Sequence, residues 1–148
     1  MSVGFVKTYD PKKVIVTFGG VPLTGWADGT FIGVRGSAER FTKKTGADGE
    51  VARARSNDDT HEVTVTLMQS SPSNTYLSTV MNIDRLTNMG IRPLSITDLS
   101  GSSLFFWPEA WIKKDPDVDY AKEVGDRAWA FDTGQIGAQN INGDFIPG

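Results

Sequence analysis

The sequence predicts a mainly β fold, in which two antiparallel sheets pack as a sandwich or barrel and one α-helix flanks them. Segments that alternate apolar and polar residues recur along the chain, and a single segment has helical periodicity. The 16 glycines and 7 prolines indicate many short elements joined by turns. A length of 148 residues fits one domain, residues 1–148, with a real hydrophobic core.

Composition excludes several classes of protein. A hydrophobic content of 39% argues against a disordered chain, and a net charge of −3 with dispersed basic residues argues against a general polyanion-binding surface. Without cysteine, the chain has no disulfide, thiolate metal site or cysteine nucleophile, which is compatible with a reducing cytoplasm. Neither a signal peptide nor a membrane-spanning segment is evident, so we expect no membrane binding by this chain alone.

The first strands are predicted before residue 35. Residues 1–12 look extended, and residues 13–18 form a half-buried strand with Val14, Val16 and Phe18 on one face. An Asp28-Gly29 turn precedes a second strand at 30–34.

The clearest alternation occupies residues 61–68. The apolar positions predict a core face, and the polar positions predict a face of the same strand that meets water. The core-face residues are Val63, Val65 and Leu67, and the polar-face residues are Glu62, Thr64 and Thr66.

Residues 74–89 are predicted as the helix, after a break at 70–74 that offers N-cap residues. Gly90 is a natural residue to end it. The apolar stripe at helical spacing predicts packing against a sheet and gives no indication of a cofactor. Its members are Tyr76, Leu77, Val80, Met81 and Ile83.

Three more strands are predicted at 91–98, 103–112 and 127–132. Pro108 indicates that its strand bends or lies at a sheet edge. Residues 113–126 alternate in charge and read as an exposed loop. The tail 133–148 contains Ile136, Ile141, Phe145 and Ile146 and is predicted to dock on another surface.

An extended arm is predicted at residues 35–60, centred on the tight-turn pair Asp48-Gly49. Neither flank of the turn has an apolar face, so the arm is either a solvated hairpin or a contact with a neighbouring subunit. Six basic and six acidic residues between 35 and 62 suit ion pairing across an interface better than nucleic-acid binding. The candidate interface residues are Arg35, Arg40, Lys43, Lys44, Asp48, Glu50, Arg53 and Arg55.

The residue inventory predicts no catalytic, cofactor or metal site. His61 is the single histidine and lacks partners for a metal, so we interpret it as structural or solvent-exposed. Asp115, Asp117 and Asp119 suggest a calcium loop, but glycine is missing at loop position 6 and glutamate at position 12. No motif supports an enzyme. Tryptophans could form a carbohydrate-binding face, although Trp107, Trp111 and Trp129 lie within strand patterns that favour core packing.

Several segments, taken in order, resemble bacteriophage tail tube proteins. They are Tyr9-Asp10-Pro11-Lys12-Lys13 with the strand that follows, residues 26–32 (WADGTFI), the hairpin Phe41…Thr45-Gly46-Ala47-Asp48-Gly49-Glu50, residues 55–58 (RSND), and residues 66–74 (TLMQSSPSN). The resemblance covers roughly residues 9–132, and the order of these motifs is more specific than any one of them. It implies a tail-tube-like fold of two packed antiparallel sheets with a flanking helix, shared with the tube protein of type VI secretion systems.

The resemblance also implies a function. Subunits of such proteins form six-membered rings that self-assemble into a hollow tube for genome ejection, surrounded by a sheath in contractile tails. The implied partners are further copies of this chain and the tail sheath, tape measure, baseplate and tail terminator proteins, with DNA only in transit. The implied location is the virion tail, assembled in the bacterial host cytoplasm. Glu62, Thr64 and Thr66 would face the lumen, and a net acidic chain would not hold DNA.

Two alternatives stay open from the sequence. One is a type VI secretion-like tube or another tail or baseplate ring protein. The other, from a different class, is a carbohydrate-binding β-sandwich module.

Overall fold

The computed structural model describes residues 14–27, 31–98 and 104–141. These ranges contain ten strands and one helix, which confirms the predicted class: mainly antiparallel β, with two sheets and a flanking helix. The elements are β1 (Val14–Phe18), β2 (Val21–Pro22), β3 (Ile32–Gly36), β4 (Phe41–Thr45), β5 (Val51–Arg55), β6 (His61–Met68), α1 (Ser73–Thr87), β7 (Arg92–Asp98), β8 (Leu104–Lys114), β9 (Asp126–Thr133) and β10 (Ala138–Asn140). The predicted extended segment 1–12, the Asp28-Gly29 turn, and Phe145 and Ile146 lie outside the described residues.

Eight strands form the large sheet, in the order β2-β1-β7-β8-β9-β6-β3 with β10 on β8, while β4 and β5 form a separate hairpin. The long strand β8 changes neighbours along its length. Its residues 104–107 pair with β7, whereas residues 110–114 pair mainly with β9. Pro108, which has no N–H to donate, stands between these two registers, as the predicted bend requires. Because β8 continues to Lys114 and β9 begins at Asp126, the predicted loop 113–126 shortens to residues 115–125.

Residues 21–27 connect the two ends of the curved sheet. Leu23 N–H donates to the Val16 carbonyl on β1 over 2.8 Å, and Met68 N–H on β6 donates to the Gly25 carbonyl over 2.8 Å. The rings of Phe18 on β1 and Phe131 on β9 lie 5.1 Å apart between centroids, although two strands separate β1 and β9 in the sheet. The strands therefore wrap around one core as a closed sandwich.

The core confirms the predicted faces of β6. Val63, Val65 and Leu67 are completely buried, together with Trp107 and Phe131 from β8 and β9. Each inward residue alternates with an outward one, so β6 presents its polar side chains on the opposite face.

Helix α1 begins one residue earlier and ends two residues earlier than predicted. Its left-handed terminal residue is Asn88 (φ 59°), whose N–H donates to the Asp84 carbonyl over 2.8 Å, so Gly90 does not end the helix. Leu77 and Val80 are buried against the sheets, but Ile83 is 36% exposed, so the predicted stripe is too wide by that residue.

Candidate subunit interface

The β4–β5 hairpin projects from the sandwich with every strand residue exposed. Antiparallel partners point to the same side, so the pairing register defines two faces. The basic face carries Phe41, Lys43, Thr45, Val51, Arg53 and Arg55. The opposite face carries Thr42, Lys44, Ala52 and Ala54.

The turn of the hairpin is held by its own residues. Gly46 N–H donates to the Glu50 carbonyl over 2.7 Å, and the Asp48 carboxylate accepts the N–H of Glu50 over 3.1 Å. Gly49 has φ +86°, which glycine adopts without steric cost. Asp48 and Glu50, two of the candidate interface residues, therefore shape the tip of the hairpin.

On the basic face, the Arg53 guanidinium lies 4.1 Å from the centroid of the Phe41 ring, a cation–π contact that fixes this arginine. In the described part of the chain, ion pairs join Arg40 to Asp59 and Lys113 to Glu62 and Asp132. The four basic residues of the hairpin strands thus form no ion pair with a described carboxylate. They are Lys43, Lys44, Arg53 and Arg55.

The base of the hairpin is anchored to the C-terminal segment. Arg40 donates to the Asp59 carboxylate over 2.9 Å and to Gln139 Oε1 over 2.8 Å, and Gln135 Oε1 accepts the Asp59 N–H over 2.9 Å. Ile136 packs against the core. Residues 133–141 therefore lie on the sandwich beside the hairpin, and β10 pairs with β8.

His61 stands at the start of β6, 6% exposed, beside the hairpin base. Trp107 Nε1–H donates to His61 Nδ1 over 3.2 Å, and burial lowers the pKa of the imidazole. This histidine is a hydrogen-bonded core residue. The described residues contain no group of three or more histidine, aspartate or glutamate side chains that could hold a metal.

Arg35 is not part of the hairpin, because it lies on β3 of the large sheet opposite Glu62. Glu62, Thr64 and Thr66 are half-buried on the outward face of β6. Their partners on β9 are Asp132, Ala130 and Ala128, so polar side chains and small alanines share this face.

A cleft of about 320 Å³ opens on the same face and extends from the middle of β6 towards its end at Met68. Four exposed aspartates line it: Asp115, Asp117, Asp119 and Asp126. Thr64 and Ala130 reach it from the sheet. The sequence does not predict this acidic cleft, because three of the aspartates suggest only a calcium loop. The spacing of Asp115, Asp117 and Asp119 at every second position could have indicated the cleft, because alternate residues of an extended segment lie on the same side.

Two of the tryptophans lie in the core as predicted, whereas Trp111 is only half-buried. Trp107 is 0% and Trp129 2% exposed, and both donate hydrogen bonds inside the fold, to His61 and Asn74. Across the described ranges, no helix has both the length and the apolar character to cross a membrane.

Comparison with known proteins agrees with this architecture. Residues 15–140 match the family model described as Bacteriophage PhiTE tail tube protein. The chain is 30% identical over 134 residues to structural protein ORF10 of Pseudomonas phage KPP10, covering 85% of this chain and 78% of that protein.

Solved structures share the fold at low sequence identity. The cap of the anti-feeding prophage, a tube-terminating cap, has a TM-score of 0.62 at 12% identity over 93% of this chain and 94% of that one. A second similar structure is the sheath/tube terminator of the extracellular contractile injection system PVC in the extended state. Its TM-score is 0.63 at 11% identity, and the match covers 91% of this chain and 97% of that one. The PVC sheath–tube complex, also in the extended state, has a TM-score of 0.59 at 12% identity. The match covers 87% of this chain and 89% of that one. From the family match over residues 15–140 and the identity to a phage structural protein, the chain belongs to the bacteriophage PhiTE tail tube protein family, whose members are structural proteins of the phage tail.

Proposed function

We propose that this chain is the repeating subunit of a phage tail tube, stacking as six-membered rings into a hollow conduit through which the genome is delivered. The observation that carries the proposal is the family match over residues 15–140, which covers nearly all of the described sandwich together with the hairpin. A structural role needs no catalytic group, and the buried state of His61 is consistent with that role.

The partners follow from the same role. Further copies of the chain form the tube, and a sheath and a terminator are proposed because the similar folds come from sheath–tube and terminator assemblies. This also favours a contractile tail. The tape measure and baseplate proteins complete the set, DNA passes only in transit, and assembly occurs in the host cytoplasm before the protein becomes part of the virion.

Two surfaces of the subunit receive roles in the proposal. The outward face of β6, with Glu62, Thr64 and Thr66, lines the lumen, where polar side chains meet water and nearby carboxylates repel DNA. The hairpin forms the contact between subunits, because its strand residues are all exposed and its basic side chains form no ion pair with a described carboxylate. The proposed interface comprises residues of the hairpin and its base, with Arg35 on β3 beside them: Arg40, Lys43, Lys44, Asp48, Glu50, Arg53, Arg55 and Arg35.

A second candidate is a terminator or cap that forms one ring at the end of a tube. The similarity of the fold to the anti-feeding prophage cap and the PVC terminator favours it. The length of the assembled particle distinguishes the two, because a terminator ring does not extend.

Electron microscopy of the purified protein at high concentration tests the proposal, with and without a tail-tip extract as a nucleus. Hollow tubes of many stacked rings are expected. Single rings would favour the terminator, and dispersed monomers even with the nucleus would overturn both assignments. Titration with glycans, monitored by tryptophan fluorescence, tests the carbohydrate-binding alternative in the same preparation. A shift in fluorescence on binding would support that alternative.

A further inference from the structure

We propose that the sheath binds the outward face of β1, β7, β8 and β10, through a contact of apolar and hydroxyl side chains that contains no ion pair. This inference rests on the proposed tube function. It identifies the surface that meets the sheath and the chemistry of the contact.

The pairing registers place two rows of outward side chains across these strands and β2. The residues that alternate with them, such as Val16, Leu94 and Trp107, point into the core and are completely buried. One row has five residues and the other four, and all nine are uncharged, so we call this surface the uncharged face. The rows are Pro22, Thr17, Ser95, Phe106 and Ala138, and Ile15, Thr97, Leu104 and Asn140.

The outward face of β6 and its neighbours is charged instead. On that face Lys113 forms ion pairs with Glu62 over 3.2 Å and with Asp132 over 3.9 Å. Arg35 on β3 is the strand partner of Glu62. The two outward faces of the sandwich therefore differ in chemistry, and they suit different surroundings.

The two faces also point in opposite directions. Phe18 lies on the core side of β1 and Phe131 on the core side of β9, and their ring centroids are 5.1 Å apart across the core. With the face of β6 towards the lumen, as proposed above, the uncharged face lies on the outside of the tube. Neighbouring copies in a ring or in a stack lie beside or above a subunit, so the protein that covers its outer side is the sheath.

The uncharged face can be covered at little electrostatic cost. Ile15, Leu104 and Phe106 remain 39%, 36% and 38% exposed, so a partner can still remove apolar surface from water. The hydroxyls of Thr17 and Ser95 form a hydrogen bond with each other over 2.6 Å, and they keep this bond when water leaves.

These properties define the partner surface on the sheath. The buried centres of protein interfaces are depleted in charged residues, as this face is. A charged side chain of the partner would lose its hydration here without meeting an opposite charge. The sheath surface that docks is therefore apolar and uncharged.

A unique thiol locates the contact. The chain has no cysteine, and Thr97 lies between Ile15 and Leu104 in its row, so Thr97→Cys places a thiol within the uncharged face. On tubes without sheath, a maleimide should label this thiol as fast as it does on the unassembled protein. Purified sheath protein of the same phage, assembled on the tubes, should slow the labelling at least about tenfold.

A charge introduced at the same position tests the chemistry. Thr97→Lys should lower the sheath that sediments with tubes by at least about tenfold, because the ammonium group loses its hydration without a partner. Thr64→Lys is the matched control, since Thr64 is also a half-buried outward threonine but lies on the face of β6. We expect this control and Thr97→Val to bind sheath as the wild type does. Circular dichroism and electron microscopy confirm that each variant folds and forms tubes.

The wild-type protein gives an independent test that needs no substitution. Ion pairs at a surface weaken as salt screens them, whereas apolar contacts do not. Sheath binding to preformed tubes should therefore change by less than about twofold between about 0.1 and 1 M NaCl. A tenfold loss over this range would show an ionic contact and overturn the proposal.

The remaining outcomes separate this proposal from the tube function. Wild-type protein that forms no tubes contradicts the tube function itself. Tubes whose thiol at position 97 is labelled equally with and without sheath contradict only the docking. Protection of position 97 on bare tubes would show that copies of this chain cover the face, and it would likewise overturn the docking of the sheath there.

Discussion

Trp107 Nε1–H donates a hydrogen bond to His61 Nδ1 over 3.2 Å in the core, close to the base of the hairpin. The accepting nitrogen carries no proton, so the neutral imidazole has its proton on Nε2. A proton on Nδ1 would point at the Nε1–H of Trp107, and two N–H donors cannot form a hydrogen bond with each other. The contact therefore exists only while His61 is neutral.

This relationship predicts loss of stability on mild acidification. Burial lowers the pKa of His61 below its ordinary value of 6.5, while nearby Arg40, Asp58 and Asp59 add smaller effects. Below pH 6.5 the unfolded chain binds a proton that the native chain does not, so stability is complete above this pH and falls as the pH decreases towards the lower native pKa. The pKa of Asp58 is also lowered, by hydrogen bonds from Thr60, but its contribution is lost only below pH 3.8.

Thermal unfolding followed at pH 5, 6, 7 and 8 measures the effect. The melting temperature of the wild type should decrease from pH 7 to pH 5, and His61→Gln, which keeps an acceptor for Trp107, should show a flatter profile. Parallel profiles of the two proteins would contradict the assignment.

Gly25 marks the turn where the chain passes from β1 to β6. It has φ +77°, and a Cβ there would lie 2.6 Å from Ser71 Cβ. Gly25→Ala should lower the free energy of unfolding by about 1–3 kcal/mol more than Gly20→Ala. Gly20 is the matched control because its φ is +81° but a Cβ added there would meet nothing within 4 Å. Urea unfolding of both variants gives the comparison, and equal losses would show that the contact with Ser71 is unimportant.

The sequence predicts some parts of this fold better than others. The strand 61–68 is predicted to the residue, because its alternation reflects one face in the core and one in water. The connection of residues 21–27 to both β1 and β6 is not predictable from alternation, since it depends on single backbone hydrogen bonds between distant segments. The same holds for the acidic cleft, which joins a loop to the outward side of β6 and β9.

Asn74 links the helix to both neighbouring strands. Its Nδ2 donates to the Met68 carbonyl over 2.9 Å, and its Oδ1 accepts Trp129 Nε1–H over 2.9 Å. Asn74→Ala leaves the indole N–H without its partner, so we expect a loss of about 1–3 kcal/mol in the free energy of unfolding and a change in tryptophan fluorescence.

Thr79→Ala is the control for this substitution. Thr79 is exposed on the same helix and its hydroxyl donates to the Thr75 carbonyl, so its loss should change stability by less than about 0.5 kcal/mol. A comparable loss in both variants would show that the Asn74 hydrogen bonds are not its cause, because alanine has a higher helix propensity than asparagine or threonine.

Thr64 tests the lumen assignment. The chain has no cysteine, so Thr64→Cys introduces a unique thiol. A bulky maleimide should label this thiol on the unassembled protein and be excluded from the interior of closed tubes. Leu86→Cys on the helix, where Leu86 is 73% exposed, gives a reference thiol of high accessibility. Equal labelling of position 64 in both states would place this face outside the lumen.

Deletion of the hairpin separates its role in folding from its role in assembly. In the proposed variant, an Asn-Gly turn replaces Thr42–Arg53 and joins Phe41 to Ala54, which are close because Thr42 is the partner of Ala54. Strands without buried side chains add little to the core, so circular dichroism and the melting temperature should stay near those of the wild type. Tubes should be absent by electron microscopy. Normal tubes from the full deletion would show that the hairpin is a solvated projection and not a subunit contact.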